Sequence, residues 1–180
     1  YYSQHRHDYK VIDDKMIDKI AKIGIMENIM NSLETKNNKE LQKSDGKKQS
    51  TIRGLPKLRD AVQAGTSNSK NCTLILTEGD SAKASVVSGL NQDMVQYDGV
   101  YPLRGKFLNV KDQDAEKIIK NEEISAIKKI LGLKMNEDYS DKTNWELRYG
   151  SLMILCDSDV DGSHIKGLLI NFFHSFGLHY

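Results

Sequence analysis

Between Val11 and Leu33 the apolar residues Ile12, Met16, Ile20, Ile23, Met30 and Leu33 return at helical spacing with lysines and acids between them, which predicts an amphipathic helix. From Glu34 to Asn71 the period is lost. Lys36, Lys39, Lys43, Lys47, Lys48, Arg53, Lys57, Arg59 and Lys70 stand among Asn, Ser, Gly and Gln, so this stretch reads as a basic linker with a short ordered piece at Leu55-Pro56-Lys57-Leu58. From Cys72 the pattern tightens. A strand over Cys72–Leu76 leads to a helix that Asp80 or Ser81 would cap, running to Gly89. An extended piece covers Gly99–Leu103, a helical stretch carries Ile118 to Leu131, and a charged segment runs from Met135 to Arg148. A last strand, Leu152–Cys156, feeds a helix with the stripe Ile165, Leu168, Leu169, Phe172, Phe173 and Phe176, which Gly177 would stop. Strands alternating with helices predict an α/β fold with a mainly parallel sheet flanked by helices. The expected division is 1–71 for the helix and linker and 72–180 for the α/β domain, with a helical insertion at about 111–148.

Composition adds constraints. The chain has 180 residues, 38% hydrophobic and 28% charged, which describes a globular protein. A formal net charge of +1 gives no global attraction to nucleic acid, so such binding needs a local arrangement of Lys and Arg. Cys72 and Cys156 both fall in or beside apolar runs and lack partners at metal-ligand spacing, which fits reduced thiols in a cytosolic or nuclear protein. No apolar stretch approaches a membrane span of about 20 residues. His5 and His7 have metal-like spacing but no further ligand nearby, Trp145 and the tyrosines have no activating neighbour, and no P-loop is present, so ATP binding by this chain is not expected.

The chemistry concentrates at strand ends. Asp157, Asp159 and Asp161 occupy alternate positions after the last predicted strand, and Glu78 follows the first. The series resembles the opening of a calcium-binding EF-hand loop, yet position twelve is Leu168 where a bidentate Glu is required, and a strand precedes it where a helix is required. A solvated acidic turn would leave Glu78 unexplained. Hard oxygen ligands from two strand ends suit Mg²⁺ and a phosphodiester or phosphoanhydride substrate. Between the acids lies Pro102-Leu103-Arg104-Gly105-Lys106, whose basic pair is suited to positioning phosphate. His164 and Lys166 stand off the apolar stripe at the start of the final helix, where free amides also attract phosphate.

Three segments, Glu78-Gly79-Asp80-Ser81-Ala82-Lys83, Pro102 to Val110, and Asp157-Ser158-Asp159-Val160-Asp161-Gly162-Ser163-His164 onward to Leu169, closely resemble the toprim domain of type IIA DNA topoisomerases. The run from Lys166 to Phe172 resembles the eukaryotic or large-DNA-virus branch, as does Ile52 to Leu58. The Val11–Leu33 helix resembles the end of the transducer that joins toprim to an ATPase. The resemblance implies a Rossmann-like toprim fold, a Mg²⁺ cofactor, and metal ligation by Glu78, Asp157, Asp159 and Asp161. It also implies catalysis by Glu78, Asp157 and Asp159, with Glu78 moving the proton of the 3′-hydroxyl. Arg104, Lys106, Asn109, His164 and Lys166 would face DNA, and Asp80 would lie where cleavage-stabilising drugs approach.

The family's nucleophilic tyrosine lies on a downstream winged-helix domain and its ATPase upstream, and neither is in this sequence. The implied partners are therefore double-stranded DNA, those regions of the same polypeptide, and a second copy in a homodimer. The fragment alone is expected to be inactive. The implied location is the nucleus for a eukaryotic source, or the cytoplasm or virion for a viral one. After Phe176 the resemblance lapses: Gly177-Leu178-His179-Tyr180 stands where the family continues with Trp-Pro. The alternatives are another toprim protein, a nuclease or primase, and a non-catalytic ion- or DNA-binding module.

Overall fold

The computed structural model describes residues 24–111, 113–134, 137, 139, 146–176 and 178. The expected helix before Gly24, the His5/His7 pair, Trp145 and Gly177 lie outside the described residues. The chain divides into two compact units, 1–36 and 37–180.

Gly24, at φ 71°, precedes helix α1, Ile25–Gln42. The helix does not stop at Leu33. Residues 34–42 contain no Gly or Pro, so nothing in them breaks a helix, and Leu41 gains burial at the far end. The period is lost there because this part of the helix is polar, not because the helix has ended. Ile29, Met30 and Leu33 are exposed.

In the second unit, β1 (Thr73–Glu78) is followed by α2 (Gly79–Gly89), α3 (Gln92–Tyr97), β2 (Asp98–Leu103), α4 (Ala115–Lys120), α5 (Glu122–Leu131), β3 (Ser151–Leu155) and α6 (Val160–Ser175). The sheet order is β2-β1-β3 and both pairings are parallel. Leu74, Ile75, Leu76 and Thr77 of β1 are all buried, as a central parallel strand covered on both faces requires. The stripe on α6 is buried as its spacing predicts, with Phe172 edge-on to Phe107 at 5.4 Å.

Two expectations change in detail. Asp80 and Ser81 are not the cap of α2; the helix starts at Gly79, φ 82°, directly from the strand end. The helical stretch from Ile118 to Leu131 is two helices, because the Asn121 side chain accepts from the Ile124 amide at 2.9 Å and caps α5.

Residues 44–71 follow no period, yet they pack as a strap on the α/β unit. Ala61 and Ala64 are buried, and Arg59 exchanges backbone bonds with Val100 of β2, 2.9 and 2.8 Å. Two buried cations hold the strap. The Lys128 ammonium on α5 donates to the Leu41 carbonyl, Ser44 Oγ and Asp45 Oδ1 at 3.0, 2.7 and 2.9 Å. The Arg148 guanidinium pairs with Asp60 and donates to the carbonyls of Gln49 and Ile130 at 2.6 and 2.8 Å, while Tyr149 also donates to Asp60. Burial, then the Asp60 charge, pushes the Tyr149 hydroxyl far above its ordinary range, so it remains a donor. The cysteines are not neighbours: Cys72 precedes β1 and Cys156 follows β3, at opposite edges of a parallel sheet.

Removing Asp60 leaves a fully buried guanidinium without its counter-charge. Asp60→Ala should destabilise the fold by about 3 kcal/mol, read from the denaturant midpoint. A loss under about 1 kcal/mol would mean the carbonyls alone satisfy Arg148.

Candidate functional site

A sheet in which β1 has a parallel neighbour on each side brings three carboxyl ends to one edge, and the strand order reverses at β1. Ligands in open α/β sheets collect at such a point. Leu103 of β2 pairs with Glu78 of β1, and Leu155 of β3 with Thr77. Arg104, Glu78 and Cys156-Asp157 therefore line up along the edge, spanning roughly 10 Å at the usual strand spacing.

The acids meet at the β1–β3 junction. Glu78, half-buried, accepts a hydrogen bond from the Asp157 backbone amide through Oε2 at 3.2 Å. Asp157 is exposed on the turn that follows β3. Asp159 is the N-cap of α6, its Oδ1 accepting from the Gly162 amide at 2.7 Å, so one of its oxygens already has a structural task. Asp161 lies exposed in the first turn. Gly162 is there for space. A Cβ on it would come 2.2 Å from the Asp157 carbonyl oxygen, so only glycine lets α6 start so tightly over the acidic turn. The Cys156 thiol registers the convergence: burial pushes it up, as do Glu78, Asp157 and Asp159, while Lys166 opposes them.

Among the described residues no three acid, His or Cys side chains form a ready-made metal cage. That is compatible with Mg²⁺, which takes one or two carboxylates and completes its octahedron with water and substrate oxygens. Glu78 and Asp157 are the residues that could supply such a pair, and Asp159 retains an oxygen beyond its cap.

On the β2 side, Arg104 and Lys106 are exposed around Gly105, φ 64°. The Arg104 amide donates to Glu123 Oε1 at 3.0 Å, and its guanidinium lies 3.8 Å from Glu122. Asp80, in the first turn of α2, is paired with Lys57, whose hydrogen bond holds the carboxyl below its usual range; Lys83 bonds the Lys57 carbonyl at 2.6 Å. Lys57, Tyr101, Arg104, Glu122 and Glu123 line an open cleft of about 370 Å³. Asn109 Oδ1 accepts from the Lys111 amide and from Asn171 on α6, each at 3.1 Å. His164 is exposed on α6 and Lys166 partly so. Lys57, Glu122 and Glu123 line the cleft without having been singled out as candidates from the sequence; Lys57 had a signal in the ordered Leu-Pro-Lys-Leu piece, the glutamates none.

Residues 73–179 match the Toprim domain model. The chain belongs to the Toprim family. It is 50% identical over 165 residues to DNA topoisomerase 2 of Pisum sativum, covering 92% of this chain and 11% of that protein. It is equally similar to DNA topoisomerase 2 of Acanthamoeba polyphaga mimivirus, covering 92% and 13%. The chain thus spans about a tenth of the length of these relatives. Among solved structures it is similar to the Plasmodium falciparum topoisomerase II DNA-binding, cleavage and re-ligation domain, at 52% identity and a TM-score of 0.67 over 71% of this chain and 17% of that one. The parallel sheet flanked by helices is the Toprim fold expected from the motifs.

Two outcomes follow from this geometry. Gly162→Ala should cost about 2 kcal/mol or push the Asp157 turn aside, read by thermal unfolding and by Mg²⁺ titration calorimetry. If both stay unchanged, the close approach is not needed. Partial burial, the main cause, pushes the Glu123 carboxyl above its ordinary 4.5; Glu122 adds to it, and the Arg104 amide and the charges of Arg104 and Lys57 oppose it. A raised folded value means that ionised Glu123 costs folding at neutral pH and nothing once protonated in both states. Glu123→Gln should therefore raise the unfolding temperature at pH 7, and the gain should vanish below about pH 4.5, the ordinary glutamate value.

Proposed function

We propose that this chain is the Mg²⁺-binding toprim segment of an ATP-dependent type II DNA topoisomerase. It supports double-strand cleavage and religation with a tyrosine supplied by a downstream domain. The observation that carries the reading is the contact of Glu78 with the Asp157 amide, beside a basic turn on the same sheet edge. The similarity to DNA topoisomerase 2 proteins and to a cleavage and re-ligation domain supports it.

In this reading Glu78 and Asp157 would hold one Mg²⁺, Asp157 and Asp159 would hold a second, and Asp161 would support them. A bound Mg²⁺ neutralises charge on the phosphate oxygens. Glu78 gives a proton to the 3′-oxygen as it leaves during cleavage and takes it back during religation. Arg104 and Lys106 grip the backbone near the break; Asn109, His164 and Lys166 extend that surface, and Asp80 borders the gap where cleavage-stabilising drugs enter. The ATPase and winged helix belong to the same longer polypeptide, ATP binds there, and the working enzyme is a homodimer. Residues 1–71 are the end of the transducer and its linker, and 72–180 the toprim domain. It works in the nucleus if the source is eukaryotic, and in the cytoplasm or virion if viral.

In the full-length enzyme Glu78→Gln should abolish Mg²⁺-dependent cleavage and religation while ATP hydrolysis persists. Normal relaxation of supercoiled DNA by that variant would refute the proposal. Lys106→Ala should weaken duplex binding and lower the slope of its logarithmic salt dependence by about one; an unchanged slope would make Lys106 a plain surface charge.

A further inference from the structure

The basic turn begins where the β ladder ends. Leu103 is the last residue of β2 paired with β1, so Arg104 carries the first backbone amide beyond the sheet. That amide is held by a side chain from elsewhere, Glu123 Oε1 at 3.0 Å. Past it the tip of the turn is open: at Gly105 a Cβ would meet no atom within 4 Å, and the chain is next anchored at buried Phe107. Glu123 is mounted rigidly, next to Ile124 and one turn before Ile127, both buried in the core.

An acid in a helical first turn has an ordinary explanation in the helix dipole. Glu122 fits it, with its side chain 92% exposed. Glu123 does not. It is half-buried, burial raises its carboxyl, and Asn121 already caps the helix. A carboxylate withdrawn from water beside a phosphate-seeking turn is unfavourable twice over, by desolvation and by repulsion of DNA. Its return is the hydrogen bond to Arg104.

We propose that Glu123 is a positioning residue for DNA: it clamps the Arg104 backbone so that Arg104 and Lys106 face a phosphate, while Glu122 parks the Arg104 guanidinium until the phosphate displaces it. The parking contact is long, 3.8 Å, between side chains 59% and 92% exposed, so it is readily surrendered. A phosphate accepts two parallel bonds from the same guanidinium and is the better partner. The proposal rests on the reading of Arg104 and Lys106 as backbone contacts.

The two neighbouring acids should respond with opposite sign. By charge alone, deleting either one tightens DNA binding. In the full-length polypeptide, with fluorescence anisotropy of a short duplex, Glu122→Ala should tighten binding about threefold. Glu123→Ala should weaken it about tenfold, because the amide clamp is gone. Glu123→Gln keeps an acceptor and should bind within about twofold of wild type or more tightly. If Glu123→Ala fails to fold, Glu123→Met, of similar volume and without a strong acceptor, takes its place. Tighter binding by the Ala or Met variant would overturn the proposal, as would a Gln variant as weak as they are. Arg104→Ala is the separate control: if it leaves DNA binding unchanged, the phosphate-contact reading fails, whatever Glu123 does.

Discussion

The Arg148 guanidinium is wholly buried, and a cation there must be satisfied by groups brought to it from the rest of the chain. Asp60 and Gln49 come from the strap and Ile130 from α5, while the Arg148 backbone itself exchanges bonds with Leu131 and Gly65. Three segments distant in sequence are thereby tied together immediately before β3 begins. Hydrophobic contact could bring strap, helix and strand together in several ways, whereas a buried guanidinium accepts few. Lys128 repeats the device at the end of α1, with Phe176 of the α6 end 5.3 Å above its ammonium.

At the carboxyl edge, polar groups serve shape as much as charge. Asp159 spends an oxygen on capping α6, Asn109 ties the tail of the basic turn to α6, and Asp80 holds Lys57. These bonds anchor the segments on either side of Asp157 and of the Arg104-Gly105-Lys106 turn. In the proposed function a metal and a phosphate would meet side chains already oriented, which is the economy of a preorganised site. A net charge of +1 is consistent with this, since any attraction for a polyanion must then be local, at the basic turn.

Much of this was legible in the sequence because it depended on neighbours. The strand ends, the acids at alternate positions, the basic turn and the α6 stripe all declare themselves within about a dozen residues, the range over which periodicity works. Arg148 and Lys128 did not, since their partners lie 88 and 83 residues away and a lone basic residue reads as surface. The strap looked like a linker because its buried apolar residues are the single alanines Ala61 and Ala64, with Leu55 and Leu58 partly buried, and they follow no period. The capping task of Asp159 was hidden by its place in a series of acids that reads as a metal site. Which of Glu122 and Glu123 faces inward depends on how α5 lies against β2, and local pattern does not carry that.

Register joins the two ends of the sheet. A slip of one residue between β1 and β3 would turn alternate side chains to the opposite face and carry Asp157 away from Glu78. The five residues of β3 offer little to prevent it, for Leu152, Met153 and Leu155 are exposed and make few discriminating contacts. What prevents it lies at the other end. The amides of Gly150 and Ser151 both donate to the Cys72 carbonyl at 2.9 and 3.0 Å, and a Cβ at Gly150 would come 1.9 Å from the Lys70 carbonyl oxygen. Arg148 and Tyr149 lock the two preceding positions to Asp60. The spacing of the acids is thus set about 16 Å from the acids themselves, one five-residue strand away, by buried groups that have no part in the acidic edge.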